Sequence, residues 1–380
     1  MTVPAVPAPS SEPTDEELLA QPQHGVGHRI VSGLLSYGIV IIALAYLFGQ
    51  LSSGGDWTSA LALITGWMVV VAVVLGVVNL ATNWPPISIA LPGLRLREAA
   101  VTNTASAALS NTVPEGGAVA TGLNYAMLRS WGFSLGDITS EVLVTGTWSQ
   151  LMKYTLLAVG LVAVALEGWG PSSTQWWALA LAVLVVAALV VLGLILRSRA
   201  FAVRLGRWAD DLVRLARRAV HRIPEPTMAD SVPTFREALV SLLRLCWGRL
   251  TVAMLVSQLT VVVVLGICCR MQGLDEATIS WAVILVAWGL VTFASLLVPT
   301  PGGLGVAELV LVGVLGYGLP QSDQPAVLAA VVLYRIATFL VPIPIGLVTY
   351  LYWRKSDAWR HEPGTRGPSS ARAEAGAAAT

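Results

Sequence analysis

Charge is what this sequence has least of. Only 12% of its 380 residues are Asp, Glu, Lys or Arg, while 55% are hydrophobic and the mean hydropathy is +0.72. A soluble domain carries roughly 25% charged residues, so a water-soluble fold is excluded. Lysine is nearly missing: Lys153 and Lys355 stand alone, and every other basic side chain is arginine. With its Ala, Gly and Val richness, this composition points to a GC-rich bacterial genome. The 3 cysteines, Cys246, Cys268 and Cys269, form no C-x-x-C pattern, which excludes a thiolate metal centre and a disulfide framework. The 4 histidines, His24, His28, His221 and His361, all lie outside the apolar runs, so no metal site and no cofactor is expected within the membrane. No P-loop, G-x-S-x-G or H-E-x-x-H occurs. Nothing would power a nucleotide-driven pump.

Long charge-free runs are present instead: Trp57 to Leu94, Gly168 to Leu196, Leu250 to Cys269, Ala277 to Ala307 and Ile336 to Trp353. A helix crossing about 30 Å of hydrocarbon needs ~20 residues. The chain therefore reads as an all-α, polytopic integral membrane protein. Residues 1–28 are expected to form a disordered cytoplasmic tail, 29–353 a transmembrane domain, and 354–380 a second disordered cytoplasmic tail. Crossings are expected at 30–51, 59–81, 142–166, 178–196, 250–269, 278–298, 304–319 and 325–352, about eight in all. The Pro85-Pro86 pair is expected to stop the second of these.

Residues 197–249 differ from the rest. Arg197, Arg199, Arg204, Arg207, Arg214, Arg217, Arg218 and Arg222 interleave with apolar residues at near-helical spacing. That is a basic amphipathic segment lying on a membrane surface, and it belongs on the cytoplasmic side. The arginines have no accompanying soluble fold, so a nucleic-acid partner is not expected. The basic C-terminal tail belongs on the same side. An even number of crossings must then separate the two, and counting 304–319 as a crossing satisfies this.

Two stretches interrupt the apolar pattern. One is Asn111 to Gly117, with Pro114, Glu115, Gly116 and Gly117. The other is Pro299 to Glu308, with Pro301, Gly302, Gly303 and Gly305. Proline removes a backbone donor and glycine releases helical restraint. In hydrocarbon the freed groups must be satisfied by protein or by a water-lined cavity. Paired breaks are a candidate internal repeat of transporter type. The first pair of short helices, 99–130, re-enters without crossing, whereas the second contributes a crossing, so the two do not match. Glu308 is a carboxylate within an apolar run, and Arg335, after Tyr334, sits within the next one. Antiparallel packing would bring Glu308 and Arg335 together, either as a pair that only fixes helix register or as a headgroup-binding site. Glu115 and Asn111 are candidates for lining the same polar groove.

The run Pro299-Thr300-Pro301-Gly302-Gly303-Leu304-Gly305-x-x-Glu308 resembles the hallmark of the lysylphosphatidylglycerol synthase transmembrane-region family. Tyr334-Arg335, followed by Pro342 and Gly346, is similar to that family's second signature, and Asn111 with Pro114-Glu115-Gly116-Gly117 to its first-half motif. The likeness covers residues 30–353. It implies a flippase-like module that moves a modified lipid, aminoacylated or glycosylated, across the bacterial inner membrane. The expected partners are that lipid and a lipid-modifying enzyme encoded nearby. The 27 residues after Trp353 are too few for the synthetic domain of the full-length relatives. Two other readings are a glycosyl- or acyltransferase using a lipid-linked donor and a non-catalytic scaffold for a cell-envelope enzyme. The first would need an acidic pair in an outer loop, and Asp56, Glu167, Asp275, Glu276 and Asp323 offer no obvious one.

Overall fold

The computed structural model describes residues 57–113, 116–168, 179–187, 228–297, 300–356 and 361–368, together with Trp176 and Val190. The tail 1–28, the run 30–51, the arginine-rich residues 197–222, Pro114, Glu115 and Pro299 lie outside the described residues. The fold is all-α and polytopic. Among the described residues four helical stretches are long and apolar enough to span a membrane: Gly66–Ala90, Leu135–Glu167, Trp247–Met271 and Gln321–Lys355. Apolar side chains that elsewhere would be buried stand exposed along them, among them Val70, Val74, Leu347, Val348 and Leu351. A surface facing lipid has no need to hide them.

In chain order, α1 is Trp57–Ala62, α2 Gly66–Thr82 and α3 Trp84–Ala90. Pro85 and Pro86 follow the end of α2 at Thr82, where the sequence led us to expect a stop. They occupy the first turn of α3, where a missing N–H costs nothing, and Asn83 joins the two helices. Asn83 Nδ2 donates to the Asn79 carbonyl (2.8 Å), and Asn83 Oδ1 accepts from Ser257 Oγ (2.8 Å). Next come α4 (Leu96–Thr112), α5 (Gly116–Ser130), strand β1 (Trp131–Phe133) and α6 (Leu135–Glu167). Ser134 Oγ caps α6 by accepting from the Asp137 N–H (3.2 Å).

Helix α7 runs unbroken over the 44 residues Met228–Met271. The expected division into an amphipathic piece and a crossing at residue 250 is therefore not made: nothing between Arg249 and Leu250 breaks a helix, and only the polarity changes there. α8 (Trp281–Leu297), a turn at Pro301–Gly303, α9 (Val306–Leu315) and α10 (Gln324–Arg335) follow. α10 passes through a π-helical segment, Ile336–Leu340, into α11 (Pro342–Lys355). Pro342 and Pro344 have no N–H to donate. The helix widens ahead of them, and the Val341 N–H bonds the carbonyl of Ile336, five residues back (3.0 Å).

Side-chain contacts sort the helix ends onto two faces, named apical and basal here for position alone. On the apical face Ser280 Oγ donates to Glu167 at the end of α6 (2.6 Å), and Gln272 reaches Met68 in α2 (3.4 Å). Arg270 fastens the intervening loop by donating to the carbonyls of Leu274 (2.6 Å), Asp275 (2.9 Å) and Ile279 (2.9 Å) and pairing with Glu276 (2.7 Å). Two hydrogen bonds from Thr278 hold the exposed Asp275 carboxyl below the ordinary range. Gln324 donates to the Gly316 carbonyl (2.9 Å), and Ala60 of α1 packs with Val312 and Leu328. The end of α9 and the start of α10 therefore belong to the apical face. On the basal face Trp353, near the end of α11, donates to Ser130 at the end of α5 (3.0 Å).

These placements correct the expected topology. α4 leaves the basal face and α5 returns to it; α8 leaves the apical face and α9 returns to it. Each pair packs along itself as a hairpin. α9, with 10 residues, is only ~15 Å long and does not cross. Leu304 to Leu319 is thus a re-entrant arm. The mismatch between the two broken pairs disappears, because both return to their own side, from opposite faces.

The packing repeats in the same inverted sense. α4 lies along α11, the span after the second hairpin, and α8 lies along α6, the span after the first. Both seams rely on glycine. A Cβ on Gly346 would strike the Thr104 carbonyl and Ala108, and one on Gly289 would come within 2.7 Å of Leu157 Cδ1.

The C-terminal tail is also corrected. Residues His361–Arg366 form strand β2, parallel to β1. Arg366 pairs with the buried Glu98 at the start of α4 (3.0 Å), donates to the Gly93 carbonyl (2.7 Å) and lies over the Phe133 ring at 5.0 Å. One arginine thus supplies the charge partner that a buried carboxylate requires.

Candidate functional site

The second hairpin turns on Gly302, Gly303 and Gly305, whose φ values are +53°, +70° and +80°. Residues with a Cβ rarely adopt this conformation. The tight reversal frees the first N–H groups of α9. The Gly305 N–H donates to Glu308 Oε2 (2.7 Å), so the carboxylate in the first turn of α9 caps its own helix. It also sits at the positive end of the helix dipole.

Glu308 Oε1 faces Arg335 Nε at 2.6 Å. The Nε hydrogen is not aimed along that line and makes no hydrogen bond of good geometry, so the contact is an ion pair rather than a linear hydrogen bond. Arg335 Nη2 donates to the Gly302 carbonyl (3.0 Å), and the guanidinium lies 4.8 Å from the centre of the Phe339 ring. Both side chains of the pair are 15% exposed.

The first hairpin reaches this point from the other face. Asn111, in the last turn of α4, donates through Nδ2 to the Phe339 carbonyl (3.1 Å) in the π-helical segment. Its Oδ1 would lie 3.1 Å from a Cβ on Gly302. The two arms of the second hairpin are ~25 Å (α8) and ~15 Å (α9) long, so its break lies inside a ~30 Å hydrocarbon core. Two hairpin tips, a π-helical segment and an ion pair meet there.

Three predicted residues, Glu308, Arg335 and Asn111, thus come together with Gly302. Pro301 and Gly303 complete the turn. Gly116 acts elsewhere. A Cβ there would overlap the Ser110 backbone, so this glycine lets the arms of the first hairpin close. Gly117 meets nothing. Tyr334 is buried in the apolar core that includes Leu311, Val331 and Ala337, within electrostatic reach of Arg335 and Glu308. Among the described residues no group of three or more His, Cys, Asp and Glu side chains converges.

Sequence reasoning missed two groups. Thr300 Oγ1 is buried in the turn without a hydrogen-bond partner. Glu141, 2% exposed, lies on α6 near Asn124 and Thr145. It escaped notice because the apolar run was taken to start at Val142.

No curated protein shows significant similarity to the chain. Its residues 30–346 match the model of the family described as the lysylphosphatidylglycerol synthase TM region. That match includes both hairpins and the Glu308–Arg335 pair, and the chain is a multi-pass membrane protein belonging to this family.

Proposed function

We propose that the chain is a flippase-like translocator of a lipid whose headgroup carries an aminoacyl or glycosyl substituent, acting in a bacterial inner membrane with both termini cytoplasmic. The observation that carries this reading is the meeting of two re-entrant hairpins, inserted from opposite faces, at a charge pair set on broken backbone. A headgroup with both charges can exchange partners with such a pair. Its phosphate goes to Arg335 and its ammonium, or a sugar hydroxyl, to Glu308. No bare charge is left in the hydrocarbon, which would cost several kcal/mol. The Asn111–Phe339 hydrogen bond ties the first hairpin's tip to the π-helical segment that follows Arg335. A lipid-modifying enzyme encoded beside the chain would supply the substrate.

The test is reconstitution in liposomes containing labelled aminoacylated or glycosylated lipid. Wild type is expected to move label between leaflets well above empty liposomes, and Glu308→Gln to fall to their level. Wild type indistinguishable from empty liposomes across both lipid classes would remove the reading.

A further inference from the structure

The base of the first hairpin, at the basal face, is crossed by chain from the far end of the sequence. β1 follows directly on α5, and β2 pairs with it in parallel, Trp131 opposite His361 and Phe133 opposite Arg366. Most of the polar seating falls to one side chain. The Arg366 guanidinium donates to both carboxylate oxygens of Glu98 (3.2 and 3.0 Å), to the Gly93 carbonyl (2.7 Å) and to the Trp131 carbonyl (3.3 Å). The Phe133 ring lies against its face. The next residue, Gly367, stands at φ +102°, and a Cβ there would come within 2.8 Å of Asp137 Oδ2 in the first turn of α6. One short segment thus touches the start of α4, the strand leaving α5 and the start of α6.

The surface beneath is complete without it. The apolar core there includes Leu91, Ala99, Met127, Trp131, Phe133 and Ile138, and no described residue of 361–368 belongs to it. α4 has its own seam with α11 at Gly346, and Trp353 holds Ser130 at the end of α5. Glu98 also accepts from the Arg95 N–H (2.9 Å), a bond that does not depend on Arg366. Two short strands alone are marginal in water, so the seat rests on the charge-assisted hydrogen bonds of Arg366. Contacts so concentrated and so far outside the core open locally, without global unfolding.

We propose that residues 361–367 are a detachable clamp across the base of the first hairpin. Seated, the clamp fixes the start of α4, β1 and the start of α6 to one another. Lifted, it leaves that base free to move while the core stays folded, and water at the basal face takes the place of the guanidinium beside Glu98. Its use as a brake on transport rests on the translocation reading; the seating and release do not.

The test is amide hydrogen exchange on the full chain in lipid. In Arg366→Gln, exchange over residues 131–133 and 361–366 should rise together by about tenfold or more, as expected when charge-assisted hydrogen bonds are lost. The apical loop 274–281 and α10 should keep wild-type rates. Gly367→Ala retains Arg366 but is strained at its backbone and crowded by Asp137, so it should give the same local pattern more weakly. It also answers the question if Arg366→Gln fails to fold. Wild-type rates over 131–133 and 361–366 in the variants overturn the clamp. A rise that spreads equally to the apical loop and α10 overturns it too, because the segment would then be an inseparable part of the fold. Neither readout requires a lipid to move, so failure of translocation and failure of the clamp are told apart.

Discussion

Glu308→Gln should destabilise the protein by about 2–4 kcal/mol, read as a fall in unfolding temperature, and Arg335→Gln by a similar amount. Removing one partner of a fully buried pair costs about 3–5 kcal/mol because the other is left uncompensated. Here each side chain keeps 15% exposure, which reduces the figure. In Glu308→Gln the amide oxygen can still accept from the Gly305 N–H, so the cap survives and the loss isolates the ion pair. The double variant should cost less than the sum of the two single variants, with a coupling of about 1–3 kcal/mol. A charge swap, Glu308→Arg with Arg335→Glu, should recover only part. Arginine at that position cannot accept from the Gly305 N–H, and it places a positive charge at the positive end of α9. Full recovery would mean that the cap contributes nothing.

Gly302→Ala should cost about 2–4 kcal/mol although it adds one methyl group. The residue is held at φ +53°, where a Cβ brings ~1–2 kcal/mol of strain. That Cβ would also overlap the Phe339 ring and press on Asn111, and overpacking of this kind costs about 1–3 kcal/mol. Gly117→Ala is the matched control. It lies in α5 with open space where its Cβ would stand, so it should be neutral or stabilising by up to ~1 kcal/mol. Equal effects of the two substitutions on thermal unfolding would contradict the strain and crowding at Gly302.

Much of this site was legible in the residues, and the reasons are specific. A carboxylate and an arginine in successive apolar runs have few places to go but toward each other, which is why Glu308 and Arg335 could be named together. The glycines of the second break announced a backbone that side chains forbid. Charge distribution, by contrast, fixes only the parity of crossings. Two and four crossings both return residue 354 to the side of residue 249, so the re-entrant fold of α8 and α9 could not be read from arginine counts. Pro85-Pro86 marked the end of α2, but proline begins helices as readily as it ends them, so α3 beyond it went unread. The tail looked formless because its composition is dominated by small residues, yet one side chain, Arg366, ties residues 361–366 to Glu98. Glu141 was missed because it stands just outside the apolar run as drawn, and only the fold reveals that it is enclosed on all sides.

The central claim is that the tip of the first hairpin seats on the π-helical segment beside the turn of the second, and a cross-link measures it most directly. Asn111→Cys and Phe339→Cys would be introduced together in a protein whose Cys246, Cys268 and Cys269 are replaced, then treated in the membrane with a short bifunctional thiol reagent. The fold predicts an efficient intramolecular link between these positions, 228 residues apart in sequence, and none between Phe339→Cys and a cysteine replacing Ser130 at the basal end of α5. Failure of the 111–339 pair to link while each cysteine reacts singly would contradict it.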